Sequence, residues 1–428
     1  MGLNDTPRAD RLHIGIYGRR NAGKSSLINA LTGQETALVS DAPGTTTDPV
    51  YKAMELHPIG PVVFIDTAGF DDEGELGRLR VERTQEVVGK TDVAVIVTDV
   101  QLLAQRMEMS EAGDDVQLLK DEKKWLEDLR GRNVPVIFAI NKWEEASGAV
   151  SAESMEKAAE LIGGLDPACP AVRLSTVEKT GLAQLRKAIE QSVPEDFLRE
   201  KILGDMIDEG GLVMLVMPQD IQAPKGRLIL PQVQTLRELL DRKCTSVATT
   251  ADGFERALAS LSREPDLIIT DSQCFRQVYE KKPAKSALTS FSVLFAAYKG
   301  DIDAFVKGTS QLDDMTENSR VLIAEACTHV PLSEDIGREK IPALLRKRFG
   351  SGIQVVNVCG NDFPDVEALK EFDLVIHCGA CMFNRRHVLT RIAAAEAAGV
   401  PVTNYGVVLA KLTGILDKIE IPQGSRKL

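Results

Sequence analysis

Residues 13–33 read HIGIYGRRNAGKSSLINALTG, and this stretch decides the fold. His13 to Tyr17 is a short apolar run of strand character. It stops at Gly18, and SLINALTG beyond it has the spacing of a helix. Between them Gly18-Arg19-Arg20-Asn21-Ala22-Gly23-Lys24-Ser25 satisfies G-x-x-x-x-G-K-S in the required strand–loop–helix setting. Glycines let successive backbone N–H groups curl around a phosphate. Lys24 neutralises the β- and γ-phosphates, and the Ser25 hydroxyl ligates Mg²⁺. Asn21, Ala22 and Ser26 complete the expected lining, and the helix N-terminus adds its partial positive charge.

Further elements follow in the order that nucleotide chemistry needs. Gly44-Thr45-Thr46-Thr47-Asp48 lies in a loop, where Thr46 is the favoured threonine to complete Mg²⁺ coordination. Asp66-Thr67-Ala68-Gly69 follows the strand-like VVFI, with Asp66 reaching Mg²⁺ through water and Gly69 sensing the γ-phosphate. Asn141-Lys142-Trp143-Glu144 follows VPVIFAI and offers an acidic acceptor, Glu144, to guanine N1–H and N2–H₂. Ser175 and Thr176 follow AVRL and can meet guanine O6 through backbone N–H. The catalytic set expected is Lys24, Thr46, Asp66 and Gly69. Apolar runs and helical patterns alternate as far as Val193, the signature of a parallel sheet with crossover helices.

The chain has 428 residues, enough for several cores, with 43% hydrophobic and 27% charged residues. No stretch nears the ~18 apolar residues of a membrane span. The start is polar and reads as no signal peptide, so the cytoplasm is the expected location. A net charge of −12 weighs against nucleic-acid and anionic-membrane binding. Residues 210–286 hold strand-like GLVMLVM and PDLIITD and helix-like LPQVQTLRELLDR and GFERALASLSRE, with no motif for chemistry; they read as a scaffold or association segment. Beyond Ala287, RVLIAEA, IQVVNV, FDLVIH and VPVTNY read as strands, SVLFAAYKGDIDAFVKG and NRRHVLTRIAAAEAAG as helices. No internal repeat is evident.

Seven cysteines are present, and four fall between Cys327 and Cys381. Cys327-Thr328-His329 follows one predicted strand, and His377-Cys378-Gly379-Ala380-Cys381 follows another. Both motifs stand at carboxyl ends of predicted parallel strands, where open α/β sheets build their sites. A CxxC pair puts two thiolates within reach of one metal, and Cys327 is the third ligand. Three thiolates and the imidazoles of His329 and His377 suit zinc, an iron–sulfur cluster or a redox thiol set, and spacing alone does not choose. Cys359 ends a strand and reads more simply as a packed core cysteine. Arg385 and Arg386 read as a solvated helix start, His387 as a surface or supporting residue.

The first 195 residues resemble the TrmE–Era branch of translation-factor-like GTPases. Phe70 stands where Ras-like proteins carry a water-orienting Gln, and Asn21 resembles the Asn of potassium-activated members, so slow, K⁺-stimulated hydrolysis of GTP to GDP is expected. Glu144 departs from the family's Asp. Joined to the CxH…HCxxC segment, this domain resembles the HydF family, the GTPases of [FeFe]-hydrogenase maturation. That resemblance implies a [4Fe–4S] cluster on Cys327, Cys378 and Cys381, with His329 or His377 as a labile fourth ligand. It implies a homodimer formed through the middle domain and a scaffold and carrier role. The cargo would be a diiron subcluster precursor, assembled with the radical-SAM maturases HydE and HydG and delivered to apo-hydrogenase. The fold expected is α/β throughout: a P-loop GTPase domain with a parallel sheet over 1–198, a dimerisation domain over 199–288, and a Rossmann-like cluster domain over 289–428. A zinc-stabilised Era-like GTPase acting in RNA or ribosome assembly is the alternative, against which the acidic pI of ≈ 5.1 weighs.

Overall fold

The computed structural model describes residues 8–33, 50–67, 87–109, 115–144, 150–195, 197, 201–218, 228–326, 335–360 and 362–422. The chain divides into two compact units, Met1–Leu198 and Arg199–Leu428. Among the described residues no helix is long and apolar enough to cross a membrane.

The first unit is built on a six-stranded sheet: β1 (Leu12–Tyr17), β2 (Val50–Leu56), β3 (Gly60–Asp66), β4 (Val93–Asp99), β5 (Val136–Asn141) and β6 (Ala171–Arg173). The order is β2-β3-β1-β4-β5-β6. All neighbours are parallel except β2, which runs antiparallel to β3. Side chains alternate between faces along each strand. Val93, Val95 and Val97 of β4 join Leu27, Ile28, Leu185 and Ile189 on one face. Ala94 and Ile96 join Leu103, Leu126, Leu129 and Ile162 on the other. With both faces covered, the central strands read as unbroken apolar runs, which is why they were legible. Strand β2, VYKAMEL, was not. As an edge strand it keeps Lys52 and Glu55 outside the core, and its apolar run is broken.

The second unit carries two four-stranded sheets. One contains β7 (Leu212–Val216), β8 (Thr245–Thr249), β9 (Leu267–Thr270) and β10 (Ala287–Ser290); the other contains β11 (Arg320–Glu325), β12 (Gln354–Cys359), β13 (Leu374–His377) and β14 (Val402–Asn404). Their orders are β10-β9-β7-β8 and β12-β11-β13-β14, all parallel. In both, the first strand lies between the second and the third, and the fourth lies outside the third. The two sheets therefore share a topology that no sequence repeat announced. Strands β8 and β10 also escaped the sequence reading. TSVAT and ALTS are polar-rich edge strands.

One core joins the two sheets. Met214, Val216 and Ile268 from the first, and Leu322, Val375 and Val402 from the second, share a cluster with Val293, Ala296 and Phe305. The segment expected as one helix, SVLFAAYKGDIDAFVKG, breaks at Gly300 into Phe291–Lys299 and Ile302–Gly308. A Cβ on Gly300 would lie 2.4 Å from the Phe305 ring, and Asp301 restarts the helix by accepting from the Ala304 N–H at 2.9 Å. Because Phe305 is fully buried in the shared core, Phe305→Ala should cost about 3–5 kcal/mol. In native-state hydrogen exchange, β7 and β11 should lose protection together in this variant. Protection retained in β7 while β11 exchanges would mean that the two sheets open separately.

Candidate nucleotide and metal sites

In the first sheet β1 has β3 on one side and β4 on the other, so strand order reverses between β1 and β4. The loop after β1 emerges in the resulting crevice, at the carboxyl end of the sheet. Gly18 takes a φ of +148°, and a Cβ there would sit 2.4 Å from the Val97 carbonyl oxygen of β4. Gly23 takes +95°, and its Cβ would fall 2.2 Å from Asn141 Nδ2. Neither position admits a side chain. Asn21, at φ 61°, occupies the left-handed region that Asn tolerates. Helix Lys24–Thr32 begins directly after Gly23 with no side-chain cap, leaving its first N–H groups to face the loop.

The buried Lys24 ammonium donates to the carbonyl oxygens of Gly18 and Arg19, each at 2.9 Å, so the lysine lies across its own loop. Ser25 Oγ donates to Asp66 Oδ2 at 2.5 Å. Burial raises the Asp66 carboxyl above the usual range; the Ser25 hydrogen bond and the charges of Lys24 and Lys52 oppose it. The two oxygens expected around Mg²⁺ are thus side by side, one from the first turn of the helix and one from the end of β3. Thr67 Oγ1 donates to the Ile16 carbonyl at 2.7 Å and pins the residue after Asp66 to β1. Ser26 is half-buried on the helix. Thr46, Gly69 and Phe70 lie outside the described residues.

Asn141, fully buried at the end of β5, joins three pieces of the site. Its Nδ2 donates to the Ala22 carbonyl at 2.8 Å, and its Oδ1 accepts from the Thr176 N–H at 3.3 Å. Lys142 Nζ pairs with Asp99 Oδ2 at 2.5 Å, and its carbonyl accepts from Gln101 Nε2 at 3.0 Å. Ser175 Oγ accepts from the Glu178 N–H at 3.0 Å, closing the loop after β6. Glu144 Oε2 is buried and has no hydrogen-bond partner among the described residues. An orphaned acceptor beside Asn141–Trp143 suits the N–H donors of guanine. Arg19, to which no role was given, anchors the outer arm of the phosphate loop. Its guanidinium donates to the Leu118 carbonyl at 2.7 Å and to the buried Glu122 carboxylate at 3.1 Å.

In the last sheet strand order reverses between β11 and β13, and the cysteine motifs were placed at those two strand ends. The Cys378 N–H donates to the Ala324 carbonyl at 2.9 Å, which docks the turn on β11. Cys378 Sγ accepts from the N–H groups of Ala326 at 3.1 Å and Ala380 at 3.4 Å. Two main-chain donors aimed at one sulfur favour its anionic form, as iron–sulfur and zinc thiolate sites require. Burial outweighs them here and holds the Cys378 thiol at about 11. Ala380, in left-handed conformation at φ 52°, turns the chain so that Cys381 is exposed. Cys327 and His329 lie outside the described residues, although Ala326 is the neighbour of Cys327. Among the described residues no three His, Cys, Asp or Glu side chains form a metal-binding group. The pair Cys378 and Cys381, with N–H donors on the first sulfur, fits half of a thiolate site.

His377 lies at the end of β13, directly before Cys378. It is buried, its Nδ1 lies 2.9 Å from the Cys378 carbonyl and its Nε2 lies 3.2 Å from Arg391 Nη1. Arg391 can only donate, so Nε2 accepts and Nδ1–H donates. Burial, reinforced by the Arg391 charge, pushes the imidazole down to about 3 and keeps it neutral. Both ring nitrogens of His377 are thus engaged in hydrogen bonds. Arg386 requires a correction: at 8% exposed it is no solvated helix start. His387 is half-buried and stacks on Phe383 at 4.0 Å. Cys359 is half-buried; its thiol lies 3.4 Å from Glu325 Oε2 and accepts from Arg338 Nη2 at 3.2 Å. Arg391 was missed altogether. The available signal was a cation in the apolar stripe Val388, Arg391, Ile392, Ala395 of helix Arg385–Ala397.

Three family models match the chain. A 50S ribosome-binding GTPase model covers residues 13–142, a hydrogen maturase F dimerization domain covers 202–300, and a hydrogen maturase F tetramerization domain covers 303–421. The chain is 31% identical over 198 residues to the tRNA modification GTPase MnmE of Syntrophomonas wolfei, covering 46% of this chain and 38% of that protein. It is 35% identical over 136 residues to the GTPase Der of Wolinella succinogenes, covering 31% of this chain and 26% of that one. The chain thus spans well under half the length of these curated relatives. Aquifex aeolicus Era bound to GDP·AlF₄⁻ is 18% identical over 56% of this chain and 93% of its own, with a TM-score of 0.34, too low to carry an argument. The first unit is a GTPase domain with the parallel sheet and phosphate loop described above.

If Asn141 holds the phosphate loop to the base-binding loops, Asn141→Ala should weaken binding of a fluorescent GDP analogue at least tenfold. Circular dichroism should stay unchanged. Wild-type affinity in the variant would remove Asn141 from this role.

Proposed function

The chain belongs to the hydrogen maturase F family, and from that premise we propose that it is a GTPase and metal-cluster scaffold that carries a diiron subcluster precursor to apo-[FeFe]-hydrogenase. The observation that carries this reading is the Cys378 sulfur. It sits at the order reversal of a parallel sheet with two main-chain donors on it, in a chain that also holds a complete phosphate loop.

GTP binds with its phosphates on Gly18–Ser26 and its guanine against Asn141, Lys142, Glu144, Ser175 and Thr176. Ser25, with Asp66 and Thr46, would hold Mg²⁺, which would supply charge compensation on the β- and γ-phosphates. Lys24 leaves the carbonyls of Gly18 and Arg19 to meet those phosphates, and Gly69 senses the γ-phosphate. Asn21 would hold K⁺, which would supply the charge that an arginine finger provides elsewhere. Hydrolysis should therefore run at least several-fold faster in KCl than in NaCl at equal ionic strength. Equal rates, followed by phosphate release, would remove K⁺ from the account.

Cys327, Cys378 and Cys381 would hold a [4Fe–4S] cluster, with His329 as the remaining imidazole within the motif. When bound, that group would offer one iron without a protein thiolate as the attachment point for the cargo. His377 positions Cys378 through its carbonyl, and the buried strand ends keep water from the inner sulfur. Segments 1–198, 199–288 and 289–428 divide the work between nucleotide switch, dimer formation and cluster binding. HydE and HydG supply the precursor, and the chain needs neither nucleic acid nor a membrane for this task. Anaerobic reconstitution with iron and sulfide, followed by EPR of the dithionite-reduced protein, tests the reading. A fast-relaxing S = 1/2 signal is expected in wild type and lost in Cys378→Ala. Stoichiometric zinc with no such signal would leave a GTPase with a structural metal.

A further inference from the structure

Helix Arg385–Ala397 packs Arg391 into the interior of the last sheet, where the side chain is 4% exposed. Its guanidinium lies between two aromatic faces, 4.8 Å from the Phe363 ring centre and 4.6 Å from that of Phe383. Nη1 donates to His377 Nε2 at 3.2 Å and Nη2 donates to the Gly360 carbonyl. Nε is buried and has no hydrogen-bond partner among the described residues. Both accepting groups are neutral. Among the described residues no carboxylate forms an ion pair with Arg391, whereas the other buried cation–carboxylate contacts, such as Arg19 with Glu122, are closed. A guanidinium cannot shed its charge as a lysine can, and an uncompensated buried cation is costly. Arg391 is tied to Cys378 through His377, which lies 3.2 Å from Arg391 Nη1 and 2.9 Å from the Cys378 carbonyl.

We propose that Arg391 is the built-in counter-charge of the thiolate site, a positioning residue that sets the electrostatics of whatever metal group Cys378 and Cys381 hold. The inference rests on the reading of that site as an iron–sulfur centre. It adds a residue outside the cysteine–histidine motif and a specific effect. A cluster held by thiolates is anionic, and one-electron reduction makes it more so. A fixed cation buried beside it favours the reduced form, because the low-dielectric surroundings screen the charge poorly. The Phe363 and Phe383 rings flank the guanidinium, and at 4% exposure little water reaches it to screen the charge. The same group occupies His377 Nε2 at 3.2 Å.

The test is an EPR-monitored redox titration of reconstituted wild type, Arg391→Lys and Arg391→Met, with iron and sulfide content measured on the same samples. Arg391→Met should disfavour reduction at least tenfold, a fall in midpoint potential of ~59 mV for a one-electron couple. Arg391→Lys, which keeps the charge, should stay within threefold of wild type. Arg391→Gln, uncharged but polar, replaces Arg391→Met in the comparison if the latter does not fold, with the same expected fall. A wild type that loads, beside an uncharged variant that loads equally and keeps the wild-type potential, overturns this inference alone. An equal shift in Arg391→Lys and Arg391→Met also overturns it, since packing and not charge would then be responsible. A wild type that takes up no cluster overturns the parent reading, and this inference with it.

Discussion

A parallel sheet cannot be wound in one direction from a central strand without leaving one flank bare, so strand order reverses, and the reversal opens a crevice at the carboxyl ends of two neighbouring strands. Each of the three sheets obeys this constraint: the reversals lie between β1 and β4, between β7 and β9, and between β11 and β13. Two of the three crevices carry the residues with chemistry. The phosphate loop fills the first so tightly that a Cβ on Gly18 would collide with the β4 backbone. The turn carrying Cys378 fills the last and is docked on β11 through the Ala324 carbonyl. The middle crevice holds no comparable set among the described residues, in keeping with the assignment of that segment to a hydrogen maturase F dimerization domain.

What each crevice then requires is a way to hold irregular backbone at a sheet end. In the first unit the solution is a buried amide. Asn141 answers an acceptor on the phosphate loop and a donor on the loop after β6, so nucleotide contacts from three strand ends are set by one side chain. In the last sheet the solution is a buried imidazole and guanidinium. His377 answers the Cys378 carbonyl, Arg391 answers His377, and Asn404 adds a second donor to the same carbonyl at 3.0 Å. The inner sulfur is left to the main-chain N–H groups of Ala326 and Ala380. Both arrangements rest on side chains buried beneath the loop they hold.

The sequence disclosed these sites unevenly, for physical reasons. Central strands buried on both faces are continuous apolar runs, so β1, β4, β5, β11 and β13 were legible, and with them the loops that follow. Edge strands β2, β8 and β10 mix polar with apolar residues and gave no strand signal. Residue type alone did not disclose the surroundings of His377: it reads as a donor to metal because it stands in HCxxC, and its two hydrogen bonds, to the Cys378 carbonyl and Arg391, are written in no local pattern. Arg385 and Arg386 open a helix whose start is rich in cations, and solvation was the default reading for them, while Arg391 on the same helix drew no reading. The helix stripe through Val388, Ile392 and Ala395 could have exposed Arg391, since a cation in that stripe has to be buried. The shared core of the second unit was beyond reach, because the two sheets meet through Gly300 and Phe305, a contact that no local pattern encodes.

The most direct test of the central claim is transfer itself. Under anaerobic conditions the reconstituted chain is loaded with a synthetic diiron precursor bearing CO, CN⁻ and a dithiolate bridge, freed of unbound complex and mixed with apo-[FeFe]-hydrogenase, and hydrogen evolution is followed. The account expects activity in proportion to the loaded chain and none with a Cys378→Ala chain carried through the same loading and removal steps. Equal activation by the loaded chain and by that variant, or none from a fully loaded wild type, would contradict it.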